Sequence, residues 1–234
     1  MQELKPLLND TWTFYKAHFV GLCSIILPFV IPLDFFYAVI DHYGDTQGYG
    51  RWLALIPGVL VLPIYQGALI LYIASAISGE PIPRKQCYQL ALRFWLPLML
   101  LYIIMTVAIC AGLLLLIIPG LIVLARVTFS EFYCILYEEK AINAFRLSWN
   151  KTEKYQGLIL GGLLVIVLIT TIPVWLVEKI IIVLDAWNPM FTFLSGIVSS
   201  ILAIPLTIFG FRVFTMHQET VKTTKKELGT EKND

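Results

Sequence analysis

Charge is what this sequence has least of. Only 14% of its 234 residues are Asp, Glu, Lys or Arg, against about a quarter in an ordinary soluble domain. The formal net charge is +1, so no global field attracts nucleic acid or an acidic partner. The four cysteines, Cys23, Cys87, Cys110 and Cys134, form no C-x-x-C pair and no metal-ligand spacing. Three of them sit in apolar runs, where cysteine serves as a small hydrophobe. His18, His42 and His217 are too scattered to hold zinc or haem. No G-x-S-x-G, H-E-x-x-H or phosphate loop is present. No cofactor is therefore expected, and the chain reads as non-enzymatic. A signal peptide is missing too, because residues 1–18 carry mixed charge and no small-residue cleavage site follows.

What fills the place of charge is apolar surface, with 58% of residues hydrophobic. A soluble chain of this size buries about 70–75% of its unfolded surface, too little to hide so much. Lipid is the simpler solvent. A spanning helix needs about 20 apolar residues, each adding about 1.5 Å across a core about 30 Å thick. Six stretches qualify, at approximately 19–40, 52–78, 95–117, 121–137, 157–177 and 190–216. The predicted fold class is an all-α integral membrane protein. It is a six-transmembrane-helix bundle forming one domain over 1–216, with a charged, disordered tail over 217–234. Ile118-Pro119-Gly120 alone separates the third and fourth stretches and reads as a tight turn. A re-entrant pair is the alternative there.

Orientation follows from where the cations fall. One face receives Lys5, Lys16, Arg84, Lys85, Arg93, Lys140, Arg146, Lys151, Lys154, Arg212, Lys222, Lys225, Lys226 and Lys232. The other receives Arg51 and Lys179, while Arg126 lies inside a span. The basic face, with both termini, is expected in the cytoplasm. Trp12, Trp52, Trp95, Trp149, Trp175 and Trp187 fall near span ends or in flanking segments, as their amphipathic rings favour.

Three segments on the basic face carry an apolar stripe at helical spacing. They are Leu4, Leu8, Trp12, Tyr15 and Phe19; Tyr88, Ala91, Phe94 and Trp95; and Ile142, Phe145 and Trp149. Basic residues lie opposite each stripe, the pattern of a helix resting in the interface of an anionic leaflet. Three cytoplasmic interfacial amphipathic helices are therefore expected, each followed by a membrane hairpin. Lys140, Arg146, Lys151 and Lys154 are candidate contacts for anionic lipid, each adding about 1 kcal/mol of attraction near such a surface.

From the fourth span onward the residues form a recognisable motif: Ile118-Pro119-Gly120-Leu121, Arg126, Glu138-Glu139-Lys140-Ala141, Ala144-Phe145-Arg146-Leu147-Ser148 and Thr152. This stretch resembles the YciC-like inner-membrane proteins, a group related to the membrane domain of some glycerophosphodiester phosphodiesterases. Thr11-Trp12 through His18-Phe19 resembles the opening helix of that family. Glu153 departs from it, standing where relatives often have glycine, and so does the acidic Glu131. The resemblance implies a bacterial inner-membrane location and little chemistry. The motif also reads as a brace. Small Ala141 and Ala144 permit close packing, and Ser148 and Thr152 can hydrogen-bond to carbonyls one turn earlier.

Ionisable groups inside a span cost about 2.5–3.5 kcal/mol each on insertion scales and usually have a partner or a task. Asp34, Arg126 and Glu131 are the candidate buried polar site. Counted from span ends, Asp34 and Arg126 share a depth and can pair. Glu131 has no ionic partner, and Gln66, Thr106 or Thr170 can reach it. Three functional readings stay open: a role in envelope or phospholipid organisation, a small transporter or channel using Arg126 and Glu131, and an accessory subunit anchoring a soluble enzyme, an unidentified protein partner. Small-x3-small patterns at Gly157/Gly161, Ala108/Gly112 and Gly196/Ser200 are expected to pack the bundle internally.

Overall fold

The computed structural model describes residues 3–43, 49–184 and 188–230, with side chains over 3–42, 56–184 and 188–220. Every element among the described residues is helical. In chain order they are α1 (Leu4–Ala17), α2 (Phe19–Tyr43), α3 (Tyr49–Ile77), α4 (Arg84–Arg93), α5 (Trp95–Leu115), α6 (Ile117–Val127), α7 (Ser130–Leu136), α8 (Ala141–Lys151), a 3-10 turn (Glu153–Tyr155), α9 (Gln156–Val183) and α10 (Pro189–Thr230).

Six helical stretches are long and apolar enough to cross a membrane: Phe19–His42, Ile56–Ile77, Trp95–Leu115, Ile117–Leu136, Glu153–Val183 and Pro189–Thr220. Most of their surface faces outward, and the outward side chains are Leu, Ile, Val and Phe. A continuous apolar surface on this scale is not tolerated by water. The expected six spans are there. Pro28, Pro32, Pro57, Pro63, Pro173 and Pro205 all lie inside helices, where neighbouring helices and hydroxyls can satisfy the carbonyls they free.

The chain is built from three units, each a short amphipathic helix, a kink, an outgoing membrane helix and a returning one. The kinks fall at His18, Phe94 and the 3-10 turn before α9. Each short helix packs on the return helix of another unit: α4 on α3, α8 on α7, and α1 on α10. The outgoing helices continue the cycle, with α2 against α10, α5 against α3 and α9 against α6. The N-terminal helix thus closes a ring on the C-terminal one. Gly67 shows how close the packing is, since a Cβ there would lie 3.2 Å from Ala91 Cβ.

The three short helices pack on the protein through part of the predicted stripes, and through the small residues expected in α8. Their protein-facing residues are small or aromatic: Thr11, Phe14 and Tyr15 in α1, Cys87 and Ala91 in α4, Ala141, Ala144 and Ser148 in α8. Trp12, Ile142 and Trp149 from the predicted stripes are exposed. Burial pushes the Cys87 thiol pKa up, keeping it a protonated apolar filler.

The α5–α6 turn differs from the Pro-Gly turn predicted. The break falls at Leu116, whose backbone is extended (φ −168°, ψ 159°), and Pro119-Gly120 lies inside the first turn of α6. A proline there costs no hydrogen bond, because the first amides of a helix have no intrahelical acceptor. Gly120 serves close approach: a Cβ on Gly112 would stand 3.0 Å from Gly120 Cα. Of the small-x3-small patterns, Gly112 and Gly196 are packed tightly, whereas Gly157 faces open space.

The tail differs as well. Its backbone continues α10 through Thr230, so 217–230 is helical where disorder was expected, and 231–234 lie outside the described residues. The stretch contains no proline, and extending an existing helix avoids the cost of a new nucleus.

Candidate functional site

The Asp34–Arg126 pair that a shared depth would allow does not form, and the three candidate residues occupy two separate places. Asp34 of α2 lies over α10, where a Cβ on Gly196 would stand 2.8 Å from its carboxyl carbon. Its Oδ2 is buried with no hydrogen-bond partner. Arg126 turns the other way, toward α8. Depth counted along a straight helix fails because the fourth span is broken and α8 folds back over it.

That break defines the first place. Between α6 and α7, Thr128 and Phe129 leave the α-helical ladder. Such a gap in a membrane interior needs partners for the freed backbone groups. The Ser148 hydroxyl supplies them, donating to the Arg126 carbonyl at 2.6 Å and accepting the Phe129 amide at 3.1 Å. The Thr152 hydroxyl lies 2.7 Å from the Ser148 carbonyl and 3.0 Å from the Arg126 carbonyl, a shared donation. The predicted bond from Thr152 to the preceding turn is present, while Ser148 crosses to α6 instead.

The Arg126 side chain completes this clasp. Nη1 donates to the Trp149 carbonyl at 2.9 Å and sits 3.4 Å from a Glu153 carboxyl oxygen. Its guanidinium carbon lies 5.7 Å from the Trp149 ring centroid. A cation on the last turn of α8 opposes the negative end of that helix dipole. Arg126 and Glu153 therefore explain each other as fixtures of α8, and neither meets Glu131.

Glu131 belongs to a second place, near Tyr102 of α5 and Tyr65 of α3. Asp34 lies near Tyr65 and Tyr37 of α2. Tyr102 Oη and Gln66 Oε1 are buried without a hydrogen bond. Beside Tyr65 and Gln66 is a cavity of about 100 Å³, reached by Ser200 and Thr207 of α10. Of the partners expected for Glu131, Thr170 is committed to the Ile166 carbonyl of its own helix at 2.8 Å. Tyr65 and Tyr102 carry no pattern that distinguishes them from other span tyrosines. Only the folded geometry singles them out.

The four candidate lipid cations do not converge. Lys140 precedes α8, and Lys151 and Lys154 lie near His217 of α10. Arg146 alone lines a groove of about 540 Å³ between α8 and the α5–α6 hairpin. Phe145 and Trp149 of α8 line it together with Ala111 and Gly112 of α5, and Arg146 and Asn150 are its polar side chains. This size lies within the range of small-molecule sites, about 300–1,000 Å³. Below the groove the hairpin apex, 113–118, is apolar throughout and exposed.

Together the fold and these sites define a multi-pass α-helical integral membrane protein. Compared with family models, characterised proteins and solved structures, the chain matches none.

Proposed function

We propose that this chain is a non-enzymatic, YciC-like protein of the bacterial inner membrane that holds an anionic phospholipid of the cytoplasmic leaflet in the α8 groove. The observation that carries this reading is the groove itself, apolar over its length and edged by Arg146 and Asn150. An acyl chain fits the walls, and a phosphate fits the cation. The biased placement of Lys and Arg supports the cytoplasmic sidedness. The family reading is supported by Arg126, Ser148 and Thr152, which carry the resemblance and also build the clasp under α8.

Native mass spectrometry of protein released from nanodiscs of equal phosphatidylglycerol and phosphatidylethanolamine tests this. Phosphatidylglycerol is expected to be retained by the wild type and depleted in Ala111→Trp, which fills the groove. Arg146→Gln is expected to retain lipid without the anionic preference. Equal retention of phosphatidylglycerol by all three proteins overturns the reading.

The acidic and phenolic groups inside the bundle favour a second reading, a cation or proton pathway through Asp34, Tyr65, Tyr102 and Glu131, with Arg126 outside it. The unpartnered buried Asp34 Oδ2 and a small cavity reached by Tyr65, Gln66, Ser200 and Thr207 support it. Proteoliposomes with an internal pH dye test it. The wild type is expected to carry protons under an imposed potential, and Glu131→Gln to abolish that current. A wild type that stays as tight as empty liposomes ends this reading.

A further inference from the structure

Trp12 occupies in α1 the place that Trp149 occupies in α8. Each follows a buried hydroxyl residue, Thr11 at 2% exposure and Ser148 at 0%. Each has an apolar residue one turn earlier, Leu8 or Phe145, and a glycine shortly after the kink, Gly21 or Gly157. Each ring also lies under a cation. Lys16 Nζ is 5.5 Å from the Trp12 centroid, and the Arg126 guanidinium is 5.7 Å from that of Trp149.

The likeness extends to what the two helices cover. Beneath α1 is a second groove, of about 240 Å³, bounded by Leu8 and Trp12 above, by Val165 and Ile169 of α9, and by Pro205 of α10. The α8 groove is likewise lined by an outgoing helix, α5, and by a proline of the return segment, Pro119. A short helix bearing a tryptophan, an outgoing helix and a return segment therefore line a groove in two of the three units. The polar side chains of the α1 groove, Thr11 and Thr170, donate to Leu7 and Ile166 carbonyls of their own helices, at 2.7 and 2.8 Å. Both hydroxyl protons are thus committed within their own helices, and the rest of the lining is almost wholly apolar, which suits a hydrocarbon occupant.

We infer that the α1 groove is a second acyl-chain site, quasi-equivalent to the α8 groove. It takes one chain of an anionic phospholipid, with Lys16 at the headgroup end. This rests on the reading of the α8 groove as a lipid site. The smaller volume admits less of the lipid, so exchange with bulk lipid is expected to be faster here. The ring gives the pairing a physical reason. α1 closes the cycle on α10 as α8 closes on α7, and each closure leaves a seam between short helix and hairpin that only hydrocarbon fills well.

The test counts lipids retained by the full-length protein released from the same nanodiscs. The wild type is expected to retain two phosphatidylglycerol molecules, Ile169→Trp one, Ala111→Trp one, and the double variant none. Val165→Phe narrows the α1 groove from another turn and is expected to match Ile169→Trp. Circular dichroism of each variant identifies any that has failed to fold. Lys16→Gln is expected to keep the count at two while the second lipid loses its anionic preference. A wild type holding one lipid, lost in Ala111→Trp and kept in both α1-groove variants, overturns the second site and leaves the first standing. A count unchanged in every variant overturns both.

Discussion

Ser148 is hydrogen-bonded to both sides of the break in the fourth span, to the Arg126 carbonyl at 2.6 Å and the Phe129 amide at 3.1 Å. One hydroxyl from the following helix thus stands in for two lost ladder bonds. Ser148→Ala leaves the Phe129 amide without an acceptor, and an orphaned buried backbone group costs about 1–3 kcal/mol. SDS titration in mixed micelles is expected to show a loss of that size. Stability within about 0.5 kcal/mol of wild type, a small surface-type effect, contradicts the clasp.

Arg126 and Glu153 separate two kinds of contact. The Arg126 side chain is 14% exposed and its bond to the Trp149 carbonyl is charged, so Arg126→Gln is expected to cost about 1.5–3 kcal/mol. Glu153 is 74% exposed, and Glu153→Gln is expected to cost under about 1 kcal/mol. The same titration compares them, and equal losses count against Arg126 as the cap of α8.

Gly112 and Gly120 meet almost backbone to backbone. Gly112→Val drives two methyl groups into that contact, and overpacking of this kind costs about 1–3 kcal/mol. Thermal unfolding of the purified variant is expected to show a lowered midpoint. An unchanged midpoint indicates that α5 and α6 do not approach so closely.

Cys87 is fully buried against α3, and burial raises its pKa. A raised thiol pKa means less thiolate at any given pH, so both access and ionisation oppose reaction. In a protein keeping Cys87 as its one cysteine, maleimide labelling at pH 8 is expected to be slow when folded and complete in SDS. Rapid labelling of the folded protein means that α4 is not docked.

The six spans were legible because a run of about 20 apolar residues has few other uses. The units were legible through their aromatic stripes, although the faces in contact with protein are defined by Thr11, Ala91, Ala144 and Ser148. Sequence position does not reveal which neighbour these small residues meet. Pro119-Gly120 misled because the same dipeptide suits a turn and the first turn of a helix. The break at Thr128 was not legible, since the hydroxyl that permits it comes from Ser148 on another helix. Glu131 stood out as an acid in an apolar run. Its companions Tyr65 and Tyr102 reach it from α3 and α5, a long-range arrangement that no local pattern encodes. Arg126 was visible as a buried cation, but its partner was not, because depth along an unbroken helix was the only ruler available.

The most direct test of lipid binding in the α8 groove is a cryo-electron microscopy structure in phosphatidylglycerol-containing nanodiscs. Tubular density is expected between Trp149 and the α5–α6 hairpin, ending in a headgroup feature beside Arg146 and Asn150. Phe145 and Trp149 packed down onto Ala111 and Gly112, with the groove closed, would contradict it.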